Sequence, residues 1–392
     1  VNNLYVYVLV GIGWIGHAAI WTALLNHLYG QALPKRFLKL WFWGTGLVIL
    51  AFPLIVYSIR IETKDSDMGP IPIGIGSDLG TIYTCGCVLF GGLAFPVITA
   101  VRLLRQKPRT LLSEHTHTHD FWPVLGEACR GDGSYRSFTY LPFNGAFRVD
   151  VTELTLWLAR LPLKLDGLSV LVLSDLHLHG SPSRQWYDAV FDELAKLPTP
   201  DVIALVGDYV DTDTHHQWLA PLLSKLKWNE CGLVILGNHD KYHYPEQIRT
   251  QFANLGYRML GNRWQEVTIR GERVIVIGNE MPWFRPAPDL ASVPTDLFRL
   301  CLSHGPDQFV WAAQQGIDLT LSGHTHGGAI RIPVIGSIFI PCTTGRRYDA
   351  GVFEKGRSVL VVGRGLSGKE PLRFRCNPQV LRLILRVGPG TQ

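Results

Sequence analysis

A chain of 392 residues is long enough for two or three domains. Its net charge of +5, dispersed without a basic block, argues against nucleic acid as a partner, and seven cysteines with no C-x-x-C pair argue against a secreted disulfide framework and fit a reducing compartment. The 12 tryptophans and the apolar excess before residue 102 point instead toward a membrane.

Taken in chain order, three uncharged runs come first, at about 4–25, 40–59 and 79–101. Each is long enough to cross the hydrocarbon core, which needs ~20 residues. They predict three transmembrane helices in a membrane domain over 1–105; the first is too long, and too poor in preceding basic residues, for a cleaved signal. Lys35, Arg36 and Lys39 follow the first run, and Arg102, Arg105, Lys107 and Arg109 follow the third. The loop between the second and third mixes Arg60 and Lys64 with Glu62, Asp65 and Asp67. Positive residues favour the inside, so the chain is expected in the inner (cell) membrane, multi-pass, with everything after the third helix in the cytoplasm. Gly11-Ile-Gly13-Trp-Ile-Gly16 lies inside the first run with no preceding strand, so its glycines read as close helix packing rather than a dinucleotide site. His17 reads as structural, and Cys85-Gly-Cys87 as small membrane residues.

Residues 106–149 lack a sustained period and read as a linker, where His115, His117 and His119 alternate and could bind a metal, although a solvated connector is the preferred reading. Phe147 to Leu156 alternates like an edge strand. From Leu168 onward, strand-length aliphatic runs alternate with helical patterns. Trp186, Val190, Phe191 and Leu194 share one helical face, as do Trp218, Leu219, Leu222, Leu223 and Leu226. This alternation predicts an α/β domain, over 150–392, with largely parallel strands.

Five of the aliphatic runs end in polar residues. LVLSDLHLHG carries Asp175 and His177, VIALVGDYVD carries Asp208 and Asp211, LVILGNHD carries Asn238, His239 and Asp240, LCLSHG carries His304, and LTLSGHTHGG carries His324 and His326. An acid and an imidazole two residues apart at a strand end can face one ion. Carboxylates, imidazoles and an amide oxygen together suit Mn, Fe or Zn rather than a thiolate-bound structural zinc.

In order, these stretches read D-x-H, G-D-x-x-D, G-N-H-D, a lone H and G-H-x-H, and so the chain resembles the calcineurin-like metallophosphoesterases from about Leu161 onward. The resemblance implies a two-sheet β-sandwich flanked by helices, and two divalent metal ions, with manganese the expected choice. It implies that Asp175, His177 and His326 hold one metal, that Asn238, His304 and His324 hold the other, and that Asp208 bridges them. It further implies that His239 protonates the departing oxygen and that Asp211 orients His239, while Asp240 holds the loop or lies behind the ligands. Two such cations activate a shared water and clamp phosphoryl oxygens during in-line displacement.

Thr212 occupies the position where protein serine/threonine phosphatases of this superfamily carry an Arg, which counts against that branch. The stretches LDGLSVLVLSDLHLHG, GNEMPWF, LSHGPDQ and RGLSGKEPLRF resemble the membrane-bound bacterial members, some of which cleave the pyrophosphate of UDP-2,3-diacylglucosamine. With three membrane runs in the same chain, the expected substrate is a lipid-linked phosphoester or pyrophosphate at the bilayer surface. The alternative is a soluble nucleotide or phosphodiester, the helices serving as an anchor. A non-catalytic binding protein is disfavoured because every motif is intact. Arg364, Lys369, Arg373 and Arg375 stand as basic residues that either meet an anionic substrate or are ordinary surface charge, and Trp283 with Phe284 as aromatics that either meet an acyl chain or belong to the core. Gly363, Gly368 and Lys369 mimic a P-loop, but Glu370 replaces the required Ser or Thr, which rules out an ATPase.

Overall fold

The computed structural model describes residues 4–64 and 78–388. Asp65 and Asp67, used above for orientation, lie outside the described residues. The chain divides into two compact units, Val1–Gln106 with Pro333–Ile335, and Lys107–Ile332 with Gly336–Gln392.

In the first unit, α1 (Leu4–Tyr29) and α2 (Lys35–Lys64) are followed by α3 (Asp78–Leu89), a π-helical turn Phe90–Ala94, and α4 (Phe95–Leu103). Among the described residues three spans, Tyr7–Tyr29, Lys35–Val56 and Leu79–Leu103, are long and apolar enough to cross a membrane. A Cβ on Gly16 would stand 1.9 Å from the Cys87 carbonyl oxygen, and one on Gly91 2.1 Å from that of Ile12. Two backbones meet there, so both positions require glycine. His17 is buried, donates from Nε2 to the Val48 carbonyl at 3.2 Å and accepts from the Tyr83 hydroxyl at 2.6 Å, so it ties α1 to α2 and α3.

The second unit opens with β1 (Leu111–Asp120), β2 (Arg148–Leu158) and β3 (Leu168–Leu173). Next come β4 (Val202–Val206), β5 (Cys231–Ile235), β6 (Arg258–Met259), β7 (Trp264–Ile269), β8 (Glu272–Asn279), β9 (Phe298–Ser303) and β10 (Leu319–Ser322). The last are β11 (Arg331–Ile332), β12 (Gly336–Ser337), β13 (Gly351–Lys355), β14 (Ser358–Val362) and β15 (Gln379–Val387). One sheet has seven strands in the order β1-β2-β15-β3-β4-β5-β6, and a second has six in the order β13-β14-β10-β9-β8-β7. Strands β3, β4 and β5 run parallel, as do β8, β9, β10 and β14.

The alternation of side chains along each strand builds the layers. Val170, Val172, Ala204, Val206 and Leu233 of one sheet pack against Val276, Leu300, Leu302, Leu321 and Val361 of the other. The intervening residues Leu171, Leu173, Ile203, Leu205 and Val234 face outward and are covered by Trp186, Val190, Phe191, Leu219 and Leu222 from flanking helices. On the far side, Ile275, Ile277 and Leu360 meet Phe309 and Ala312. Strands buried on both faces explain why the sequence reads there as unbroken aliphatic runs. The helix Arg184–Ala195 presents the predicted face, with Ser183 accepting from the Trp186 amide at its start.

The linker expectation requires correction. Residues 111–120 form β1, paired antiparallel with β2 from Leu111 to Asp120, and β2 is interior, not an edge. Strand β1 is polar on both faces. Thr116 and Thr118 bond to Thr152 and Asp150 of β2, and the opposite face is largely exposed. Hydrophobic alternation is therefore missing. Further on, the Asp132 amide donates to the Gly180 carbonyl at 3.0 Å and the Ser181 hydroxyl to the Arg130 carbonyl at 2.6 Å, so this stretch folds onto the loop after β3.

Candidate metal centre

The residues singled out at the ends of β3, β4, β5, β9 and β10 converge at the carboxyl edge of the two sheets, where α/β folds place their sites. Asp175, His177, Asp208 and His304 are almost completely buried, whereas His326 and His239 are about one-fifth exposed. Asp175, His177, Asp208, His324 and His326 all have positive φ, between 47° and 68°. Non-glycine residues seldom adopt this conformation, and a cluster of them marks a functional loop set. The turns that produce it let each strand end fold its side chain back over the sheet edge.

Two groups of donors form, and a third, His177 with Asp208 and His239, overlaps both. Asp175, His177 and His326 bring one ligand atom each within 4.8 Å of one another, and Asp208, His304 and His324 do the same. Asp208 lies between them. Its Oδ1 accepts from the His239 amide at 2.7 Å, which leaves Oδ2 facing His177 Nε2 at 3.7 Å and His304 Nε2 at 3.2 Å. Asn238 Oδ1 is 3.1 Å from His304 Nε2 and joins the second group.

Backbone carbonyls fix the imidazole tautomers. His304 donates from Nδ1 to Val206 at 2.6 Å, His326 from Nδ1 to Ser367 at 3.0 Å, and His324 from Nε2 to Pro341 at 2.8 Å. The remaining nitrogens of His324 and His326 are left as acceptors, whereas His304 Nε2 faces Asn238 Oδ1 at 3.1 Å and Asp208 Oδ2 at 3.2 Å. Among the described residues, His177 Nε2 is buried with no hydrogen-bond partner. An orphaned buried nitrogen between two carboxylates fits a cation, and the donor set as a whole suits divalent metals.

Asp211 serves two imidazoles. Its Oδ1 accepts from His239 Nδ1 at 2.5 Å and its Oδ2 from His177 Nδ1 at 3.0 Å. Only the first partner was anticipated; the second is a through-space contact that no sequence spacing signals. Asp240 resolves as the loop holder. Its carboxylate accepts from the amides of Gly237, Asp208 and Tyr209 at 2.8–2.9 Å, tying the G-D-x-x-D loop to the G-N-H-D loop.

The electrostatics are those of a site balanced by protons until cations arrive. Burial works against charge on His177 and His304. Asp211, Asp208 and Asp175 outweigh it at His177, as Asp208 and Asp175 do at His304, and each is pushed up to about 9. Burial also opposes charge on Asp175 and Asp208, yet the surrounding imidazoles hold both below the usual carboxylate range. At His324 and His326 burial prevails, lowering them to about 4 and about 3. These two are neutral donors at physiological pH.

The substrate candidates fare differently. Trp283 is 7% exposed, not surface-lying, and its ring packs 4.8 Å from His324 and 5.4 Å from His304, centroid to centroid. It walls the site from inside, and Gly305 admits it because a Cβ there would meet the ring at 3.2 Å. Phe284 is partly buried against the helix-side core. Arg364 is engaged with Asp150 at 2.6 Å, and the fully buried Arg373 donates to the carbonyls of His326, Arg364 and Ser367. Both brace the loops. Lys369 remains half-exposed, its ammonium 5.3 Å from the centre of the Tyr135 ring.

A two-sheet α/β sandwich with these donor groups at the ends of its parallel strands defines a metal-dependent phosphoester hydrolase. The chain belongs to the calcineurin-like metallophosphoesterases: residues 168–328 match the family described as Calcineurin-like phosphoesterase. It is 30% identical over 275 residues to the uncharacterized metallophosphoesterase YkuE of Bacillus subtilis, covering 68% of this chain and 94% of that protein. It is 31% identical over 224 residues to the phosphodiesterase YaeI of Escherichia coli, covering 55% of this chain and 81% of that one. A transmembrane protein with metallophosphoesterase domain from Bos taurus is 25% identical over 273 residues, 63% of this chain and 59% of that protein.

Proposed function

We propose that this hydrolase is a multi-pass membrane enzyme that cleaves a lipid-linked phosphoester or pyrophosphate, such as UDP-2,3-diacylglucosamine, at the cytoplasmic surface. The observation that carries the chemistry is Asp208 Oδ2, left free between two converging donor groups. In this reading Asp175, His177 and His326 hold one divalent ion, Asn238, His304 and His324 the other, and Asp208 both. Bound cations would supply Lewis acidity toward the phosphoryl oxygens and lower the pKa of a bound water, and manganese is among the ions that such a mixed carboxylate, amide and imidazole set accepts. His239 is the acid. Because its Nδ1 is committed to Asp211, Nε2 is the nitrogen that hands a proton to the departing oxygen. Lys369, half-exposed, is a basic side chain available to meet an anionic substrate.

The lipid assignment is supported by three membrane-capable helices in the same chain, and the cytoplasmic placement by the basic residues after the first and third of them. A second reading, a membrane-anchored phosphodiesterase for soluble nucleotides or diesters, is favoured by the relative named a phosphodiesterase and by the burial of Trp283. The two are separated by assaying detergent-purified protein, with metals counted by mass spectrometry, on UDP-2,3-diacylglucosamine and an aryl phosphodiester. Metal-dependent UMP release far exceeding aryl ester turnover is the expected result. Efficient turnover of the aryl ester alone overturns the lipid assignment and leaves the helices as an anchor.

A further inference from the structure

Three histidines stand outside the centre described above. His115, His117 and His119 alternate along β1, so their side chains project from one face, opposite Glu153, Val151 and Val149 of β2. Strand β1 is the terminal strand of its sheet, with His115 and His117 exposed and His119 half-buried. Among the described residues none of the three imidazoles is hydrogen-bonded to another side chain. The rings of His117 and His119 nevertheless lie 4.6 Å apart, centroid to centroid, at 82°.

The strand beneath them is fixed. On the other face, Thr116 bonds to Thr152 at 3.0 Å and Thr118 to Asp150 at 2.6 Å, and Asp150 is itself held by Arg364 and Asn377. Imidazoles at i and i+2 of a rigid strand have Cα atoms ~6.5 Å apart, a separation that lets each ring direct one nitrogen at a single ion. No carboxylate is needed for such a chelate, which favours borderline cations that prefer imidazole, namely Zn²⁺, Ni²⁺ and most of all Cu²⁺.

We propose that β1 carries a second, surface metal site, in which His117 and His119 chelate one divalent transition-metal ion and solvent fills the remaining positions. His115 and His117 form an overlapping pair, so His117 belongs to either chelate. This all-imidazole site differs from the phosphoesterase centre, whose donors include two carboxylates and an amide oxygen beside its imidazoles. The difference makes the two separable.

The test uses the full chain in detergent, preloaded with Mn²⁺, then titrated with Cu²⁺ and followed by electron paramagnetic resonance and equilibrium dialysis. Wild type is expected to bind one equivalent of Cu²⁺ with a nitrogen-coordinated spectrum. His117→Ala should weaken that binding at least 10-fold, and His119→Gln should change the spectrum, both with aryl phosphodiester turnover unchanged. Equal Cu²⁺ affinity and identical spectra for wild type and both variants overturn the proposal. A loss of Cu²⁺ binding in a variant that also loses its Mn²⁺ overturns it too, because the copper would then have been occupying the phosphoesterase centre.

Discussion

Replacing Asp211 with Asn tests the part of the site that only the structure reveals. The carboxylate accepts from His239 Nδ1 at 2.5 Å and from His177 Nδ1 at 3.0 Å, one oxygen to each. An amide keeps the shape but offers one acceptor oxygen and turns an NH₂ toward the other imidazole N–H. One ring must then lose its partner or adopt the wrong tautomer. A hydrogen bond to a charged group is worth about 1.5–3 kcal/mol, and loss of an oriented general acid costs on the order of 10²–10⁴ in rate. The two partners give two readouts. Through His239, kcat should fall by that factor for an alkyl diester, whose poor leaving group needs a proton, and much less for an aryl diester. Through His177, metal affinity should fall roughly 10–100-fold, the usual cost of removing the group that orients a ligand. His239→Ala should reproduce the first effect without the second. An Asp211→Asn protein that keeps its full metal content and loses alkyl and aryl turnover equally would refute both roles.

Other outcomes follow from the same geometry. Asp208→Asn should abolish turnover and reduce bound metal below two per chain, as counted by mass spectrometry, because its free oxygen is shared by both donor groups. Gly365 has φ +70° and a Cβ there would stand 2.6 Å from Asp175 Cβ, so Gly365→Ala should cost about 1–3 kcal/mol, visible as a lowered Tm together with weakened metal binding. Trp283→Ala empties a space beside His304 and His324, at about 3–5 kcal/mol; turnover of long-chain and short-chain substrates should fall alike, and a loss confined to the long-chain substrate would contradict an inner-wall role. Without metal, His177 and His304 hold protons up to about pH 9. Cation binding must expel those protons, so affinity should rise with pH toward 9 and flatten above it, and calorimetry at pH 7.5 in buffers of different ionisation enthalpy should show about two protons released.

Much of this was legible in the chain because buried parallel strands cannot hide. Stretches such as LSVLVL and VIALV are apolar on both faces, end abruptly in small residues, and so announce both the strand and the place where a polar group leaves it. What escaped had no local pattern. Strand β1 is polar on both sides, and its pairing is set by threonine and aspartate contacts to residues more than thirty positions away. Trp283 sits in a loop after β8, where no period distinguishes an inward ring from an outward one. Arg364 and Arg373 look like phosphate grips by charge alone, yet the first meets Asp150 and the second is spent on three carbonyls.

The positive φ angles connect the fold to the chemistry. Five residues of the donor set hold a conformation that costs each of them about 1–3 kcal/mol, and a loop persists in that state only when its surroundings over-determine it. Here the restraints are identifiable. Asp175 accepts from the His324 amide with both oxygens at 3.1 Å, and Asp208 is pinned by the His239 amide and through its own amide by Asp240. The loops after β3, β4, β5 and β10 therefore brace one another across the boundary between the two sheets. A ligand cannot be displaced singly, since moving Asp175 disturbs His324 and moving Asp208 disturbs His239. The consequence is that metal affinity and the docking of the two sheets at this edge are one linked equilibrium: cations should protect the amides of His239 and His324 from hydrogen exchange together, although the two residues belong to loops of different sheets.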